Sequence, residues 1–182
     1  MRLFVMRHGV TSWNRERRIQ GLQDVPLNPE GREQIRDACK RLADQEELRP
    51  VRIFTSPLLR AAESASIAGE YFQVPIEVIT CMRERSFGRL EGLTLQEIRD
   101  RYGIADIEEI QDGQWEIEDL STVRQRVKEG VESLLVSYPQ TDILLVTHGS
   151  IIKCLGQAYG KDVGILPNAA YLELATAEPS II

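Results

Sequence analysis

Short unbroken apolar runs alternate along this chain with longer stretches whose apolar residues recur every three or four positions. The first kind predicts strands covered on both faces, the second helices that lie on a sheet. Residues 2–6 form the first run. Asn28-Pro29-Glu30 reads as a helix start, with a capping side chain, proline at the first helical position and an acid in the first turn. The helix that follows sets Ile35, Ala38, Cys39 and Leu42 on one face. Val51–Phe54 predicts a second strand, Pro57 to Tyr71 a second helix, and Pro75–Ile79 a third strand. Thr94 and Glu97 make a capping-box pattern that opens a short helix. Ser121 is the expected cap of a longer helix with Val127, Val131, Leu134, Leu135 and Tyr138 on its apolar face. Ile143–Val146 predicts a fourth strand, Ile151–Tyr159 a helix closed by Gly160, and Tyr171–Leu174 a last strand.

Strands alternating with helices predict an α/β domain with a mostly parallel central sheet. Its 182 residues fit one domain, spanning 1–182, with no repeat or low-complexity linker. In such a sheet, ligands bind outside the carboxyl ends of the strands. Arg7-His8-Gly9, Thr55-Ser56-Pro57, Arg83-Glu84 and Thr147-His148-Gly149 all fall there. His8 and His148 are the only histidines, and each is followed by glycine, which allows close approach of backbone and ligand.

Charge narrows the chemistry. The net charge of −6 argues against a nucleic-acid surface, and an anionic substrate needs a local cluster of arginines to be captured. No apolar run approaches the ~20 residues of a membrane span, and the apolar N-terminus is too short for a signal peptide. A cytoplasmic protein is expected. Cys39, Cys81 and Cys154 are few, odd in number and never paired as Cys-x-x-Cys, so reduced and mostly buried thiols are expected.

Four segments then resemble the motifs of one family, in that family's order. They are Arg7-His8-Gly9-Val10-Thr11-Ser12-Trp13-Asn14 through Gln20 to Asn28, Ser56-Pro57-Leu58-Leu59-Arg60-Ala61-Ala62-Glu63, Glu84-Arg85-Ser86-Phe87-Gly88-Arg89-Leu90-Glu91-Gly92, and Val146-Thr147-His148-Gly149. The chain resembles the histidine phosphatase superfamily, also called phosphoglycerate-mutase-like. The resemblance implies a three-layer α/β/α sandwich and a small phosphatase-type member that hydrolyses phosphomonoesters through a phosphohistidine on His8. It implies catalytic roles for His8, Glu84, His148, Arg7 and Arg60. Phosphate contacts are implied from Arg7, His8, Asn14, Gln20, Arg60, His148 and Gly149. No cofactor and no metal are implied, and the expected partner is a small phosphorylated metabolite.

Residue chemistry agrees. Phosphoryl transfer is mostly positioning plus electrostatic stabilisation, and arginine forks match phosphate oxygens. His8 must attack neutral, so two nearby arginines should depress its pKa while a backbone carbonyl fixes its tautomer. Protonated His148 would add a third cation. Glu84 is the candidate general acid and then base, with Glu91 a competitor. Alternatives are a mutase, a catalytically idle phosphate-binding module, and a metal site of two His and one carboxylate. The last is disfavoured because gathered arginines repel a cation. Hydrolysis is preferred to mutase chemistry because His8 and His148 lie a compact 148 − 8 = 140 positions apart. The acidic segment Asp106, Glu108, Glu109, Asp112, Glu116, Glu118 and Asp119 would also repel polyanions, or it is simply a solvated face. Ser64, Ile117-Glu118-Asp119 and Pro167-Asn168-Ala169-Ala170 depart from the family pattern, the last two at expected substrate-side contacts. Trp13 is expected in the core or at the substrate opening, Trp115 at the opening. Phosphosugar, phosphoserine, α-ribazole phosphate and phosphoprotein all stay open as substrates, and monomer and homodimer as assemblies.

Overall fold

Five strands form one sheet in the order β3-β2-β4-β1-β5. They are β1 (Leu3–Arg7), β2 (Arg52–Thr55), β3 (Ile76–Val78), β4 (Ile143–Thr147) and β5 (Tyr171–Leu174). The structure, a computed structural model, describes residues 2–105, 113–139, 141–161 and 163–174. All neighbouring strands run parallel except β5, which pairs antiparallel with β1 at the edge.

Alternate residues of each inner strand feed two cores. Leu3, Val5, Phe54, Ile143 and Leu145 face the helices α5 (Leu120–Ser137) and α6 (Gly149–Ala158). Phe4, Met6, Ile53, Leu144 and Val146 face α2 (Pro29–Asp44) and α3 (Leu59–Phe72). The result is the expected three-layer sandwich, and β1 and β4 read as unbroken apolar runs because both faces are covered. A third cluster around Leu90, Ile98 and Ile117 lies beside α4 (Leu95–Tyr102). No described helix is long and apolar enough to cross a membrane.

Several boundaries differ from the sequence reading for local reasons. The long helix starts at Leu120 with Asp119 at its cap, two residues ahead of the pattern's Ser121, and without a side-chain cap bond. The second helix starts at Leu59, two residues late. Its exposed amides are met instead by Ser56 Oγ, which accepts from Leu58 N–H at 3.2 Å, and by Asp24 Oδ1, which accepts from Leu59 N–H at 2.5 Å. A one-turn helix, α1 (Ser12–Arg15), is opened by a Thr11–Asn14 capping box. The last helix ends at Ala158 with Tyr159 as its cap, and Gly160 is in the left-handed region just beyond.

Candidate active site

Register places the two histidines. Arg7 of β1 pairs with Thr147 of β4, so the next residues, His8 and His148, leave the sheet side by side. Their ring centroids lie 5.2 Å apart, close to the ~4.8 Å spacing of strands. Beyond this point the chain turns to opposite faces: β1 leads to α2 in one core, β4 to α6 in the other. That divergence opens a crevice at the carboxyl ends of β1 and β4.

His8 is 2% exposed. Its Nδ1 lies 2.7 Å from Gly9 O, and Arg60 Nε donates to its Nε2 at 3.3 Å. A carbonyl only accepts and a guanidinium only donates. The ring is therefore neutral, protonated on Nδ1, with the Nε2 lone pair facing a cation. Burial is the larger cause that holds its pKa well below the ordinary value, followed by Arg60 and Arg7. Gly9 is required by close packing, since a Cβ there would lie 2.4 Å from Gly31 O at the start of α2.

Arg60 is not a solvated helix residue; it is 1% exposed. Besides reaching His8, its Nη1 donates to Gln23 O and its Nη2 to Gly21 O, both at 2.8 Å. Burial pushes its pKa down to about 10, against the pull of Glu84, Asp24 and Glu91. Arg7 is also held down by burial, its Nη1 donates to Leu166 O, and its buried Nε has no partner. Gly149 packs against Arg7, with a hypothetical Cβ 3.5 Å from the guanidinium carbon.

His148, fully buried, sits at the cap of α6 with Nε2 2.7 Å from Ser56 Oγ. Ser56 already accepts from Leu58 N–H, so its own proton is free for Nε2. When that proton is given to Nε2, the ring proton sits on Nδ1, which is buried without a partner. Burial first, then Arg60, His8 and Arg7, holds the pKa of His148 well below its ordinary value. The third cation that a protonated His148 would add is thus disfavoured while no anion is in place, and the ring is a neutral donor.

Asn14 and Gln20 converge on the same loop through Thr11, whose Oγ1 lies 3.1 Å from Asn14 Oδ1 and 3.0 Å from Gln20 Oε1. With their oxygens so engaged, their amide nitrogens are left for another acceptor. Glu84 is 9% exposed, and its Oε1 accepts from Arg85 N–H at 2.9 Å. Its charge acts on both Arg7 and Arg60. The competitor Glu91 is occupied: its carboxylate accepts from Leu22 N–H, Phe87 N–H and Gln23 Nε2, each at 3.0 Å. Among the described residues no group of three or more His, Cys, Asp or Glu is arranged to hold a metal.

Some expectations moved. Asn168 stands behind the His8 loop, its Nδ2 donating to His8 O at 3.1 Å and lying 3.2 Å from Asn14 Oδ1. Trp13 is half-buried against Gly92 and belongs to neither main core, while Trp115 packs on Tyr102 at 4.5 Å. Asp106, Glu108, Glu109 and Asp112 lie outside the described residues. Of the remaining acids, Glu116 pairs with Arg89 and Glu118 with Arg83 and Arg126. Sequence placed Ser56 at a strand end and Asn168 in a segment of expected substrate-side contacts, but not their bonds to the histidines, which each makes only through the fold.

Residues 3–175 match the family described as the histidine phosphatase superfamily (branch 1). The chain belongs to the histidine phosphatase superfamily. It is 34% identical over 152 residues to an uncharacterized phosphatase, PhoE, of Bacillus subtilis, covering 83% of this chain and 73% of that protein. It is 32% identical over 161 residues to a probable phosphoglycerate mutase, GpmB, of Serratia proteamaculans, covering 85% and 73%. A mycobacterial glucosyl-3-phosphoglycerate phosphatase solved in complex with VO3 superposes with a TM-score of 0.85 at 30% identity, over 96% of this chain and 92% of that one. Members of this superfamily include both phosphatases and mutases, and the site geometry is what bears on the reaction here.

Proposed function

We propose that this protein hydrolyses small phosphomonoesters through a phosphohistidine on His8. One observation carries the reading: a neutral imidazole offers its Nε2 lone pair in a buried crevice beside Arg60, with Arg7 Nε and His148 Nδ1 buried and unpartnered. A buried polar atom left unpaired costs about 1–3 kcal/mol, so two in one site argue for a ligand that satisfies them. A phosphate does so.

In the first step His8 Nε2 attacks phosphorus in line, and the N–P bond forms as the ester P–O bond breaks. Arg7, Arg60 and the Nδ1–H of His148 take up the charge on the equatorial oxygens, with the amide nitrogens of Asn14 and Gln20 and the backbone at Gly149 completing the cradle. Glu84 gives its proton to the leaving alkoxide. In the second step Glu84 takes a proton from water, the water oxygen attacks phosphorus, and His8 leaves neutral. The Nδ1–H bond to Gly9 O holds the tautomer through both steps. No metal and no cofactor enter. Hydrolysis is preferred to transfer because of the compact motif spacing, and three free cysteines suit a reducing cytoplasm.

Turnover of para-nitrophenyl phosphate, abolished in His8→Ala, tests the enzyme against an idle binding module. Rapid-quench labelling of the wild type should trap an acid-labile adduct on His8; turnover without one rejects the covalent route. Interconversion of phosphoglycerates as fast as hydrolysis would overturn the preference for a phosphatase.

A further inference from the structure

Residues 84–87, which include Glu84, have no helix or strand to hold them. Yet the four carbonyls from Cys81 to Glu84 are all tied down. Met82 O accepts from Thr147 Oγ1 at 2.7 Å. The other three accept from one side chain, Arg126 of α5. Its Nη1 donates to Cys81 O and, at 2.9 Å, to Arg83 O, while its Nη2 donates to Glu84 O at 3.2 Å. The remaining two N–H groups, on Nε and Nη2, reach the two oxygens of Glu118 at 2.9 and 3.0 Å. All five guanidinium protons thus have protein acceptors. Glu118 also accepts from Arg83 Nη2 at 3.1 Å and from Ser86 N–H at 3.2 Å.

Nothing in this cluster is left over for a substrate, so Arg126 is not a further phosphate contact. The pair is also poorly suited to a purely stabilising role. Its side chains are only 12% and 10% exposed, and a buried ion pair gains little over apolar packing once desolvation is counted. An apolar pair, however, could not fix three nearby carbonyls. The helix is shaped for the contact as well. Gly130 lies one turn beyond Arg126, and a Cβ there would sit 2.5 Å from Cys81 Sγ. A side chain there would have to displace Cys81 Sγ and Met82 Cε, so α5 lies close against the segment.

We infer that Arg126, locked in place by Glu118, is the positioning residue that sets Glu84 for proton transfer. This rests on the proposed role of Glu84 as general acid. Proton transfer demands a heavy-atom distance of about 2.6–3.2 Å, which an untethered loop would not keep. The protonation matters most when the leaving group is a poor one. Lysine carries charge on one ammonium and cannot span three carbonyls and a carboxylate.

The experiment compares para-nitrophenyl phosphate, with a good leaving group, and phenyl phosphate, with a poor one. Wild type, Arg126→Lys, Glu118→Gln, Glu84→Gln and the Arg126→Lys/Glu84→Gln double variant are each assayed on both. The ratio of the two kcat/KM values from one sample cancels any difference in folded fraction and isolates the step in which the ester bond breaks. Arg126→Lys and Glu118→Gln should lower kcat/KM on phenyl phosphate at least ~10-fold more than on para-nitrophenyl phosphate, within the ~10²–10⁴-fold that general acid catalysis supplies. KM should move less than about threefold, and the double variant should discriminate no more than Glu84→Gln alone. Equal losses on both substrates, in variants made while Glu84→Gln does discriminate, would overturn the clamp and leave the role of Glu84 standing. Absence of discrimination in Glu84→Gln would remove that role, and the inference with it.

Discussion

Replacing Arg60 by Met separates what this residue does for the reaction from what it does for the fold. Burial brings the Arg60 pKa to about 10, so the folded chain holds this proton less tightly than the unfolded chain does. The cost is fully present at neutral pH, and stability rises as pH climbs through about 10. At ~1.4 kcal/mol per pKa unit it is on the order of 3 kcal/mol. Methionine relieves it and fills most of the volume. Against that gain, Gly21 O loses its donor, whereas Gln23 O still accepts from Val25 N–H. One carbonyl left bare costs about 1–3 kcal/mol. The terms nearly cancel, so Tm should stay within ~5 °C of wild type, given about 2–4 °C per kcal/mol at this size. Activity should not survive so well: losing one preorganised donor at the transition state costs about 10²–10³ in kcat. Thermal unfolding and para-nitrophenyl phosphate turnover would be measured on the same samples, with and without inorganic phosphate. Phosphate should raise the wild-type Tm and leave that of Arg60→Met in place. A fall in Tm of more than ~10 °C, with activity lost only in proportion to unfolding, would refute the reasoning and make Arg60 a structural residue.

Because burial and two arginines keep His8 neutral well below its ordinary range, its Nε2 lone pair persists in moderate acid. The free-enzyme acid limb of kcat/KM should therefore lie below pH 6.5, the ordinary imidazole value, and a limb at or above it that moves on replacing His8 contradicts this. In Arg60→Met the same ring loses its largest charged opponent, so its NMR titration should move upward; no movement would deny the contact. Ser56→Ala removes the hydroxyl that fixes the His148 tautomer, and kcat should drop about 10–100-fold with little change in Tm. Wild-type turnover in that variant would show the hydroxyl to be idle. Gly9→Ala forces a Cβ to within 2.4 Å of Gly31 O and should cost ~3 kcal/mol or more in denaturant titration; a loss under 1 kcal/mol would mean that α2 yields easily.

What could be read from the sequence was whatever one segment carries alone. Leu3–Met6 and Ile143–Val146 announce themselves as buried strands, and His8 and His148 each stand at the end of one. Arg60 and Glu84 could be proposed as site residues because motif order supplied a context that their local surroundings do not. Other features depend on register or on distant packing. Ser56 meets His148 only because β2 pairs with β4, and Asn168 braces His8 across 160 positions of sequence. Arg126 looks like an ordinary charged residue on a long helix until its five partners are placed around it. Asp119, not Ser121, stands at the start of α5, since chain direction there is set by the pairing of Glu118 N–H with Ser86 O.

The ladder between β1 and β4 has a consequence for how such a site can change. Because the imidazoles sit one step past paired residues, their separation is a lattice constant of the backbone rather than a property of side chains that mutation could tune. Loops around the rim can lengthen, shorten or exchange their chemistry without altering that gauge. A change confined to the rim is therefore expected to leave the spacing of the two imidazoles as it is.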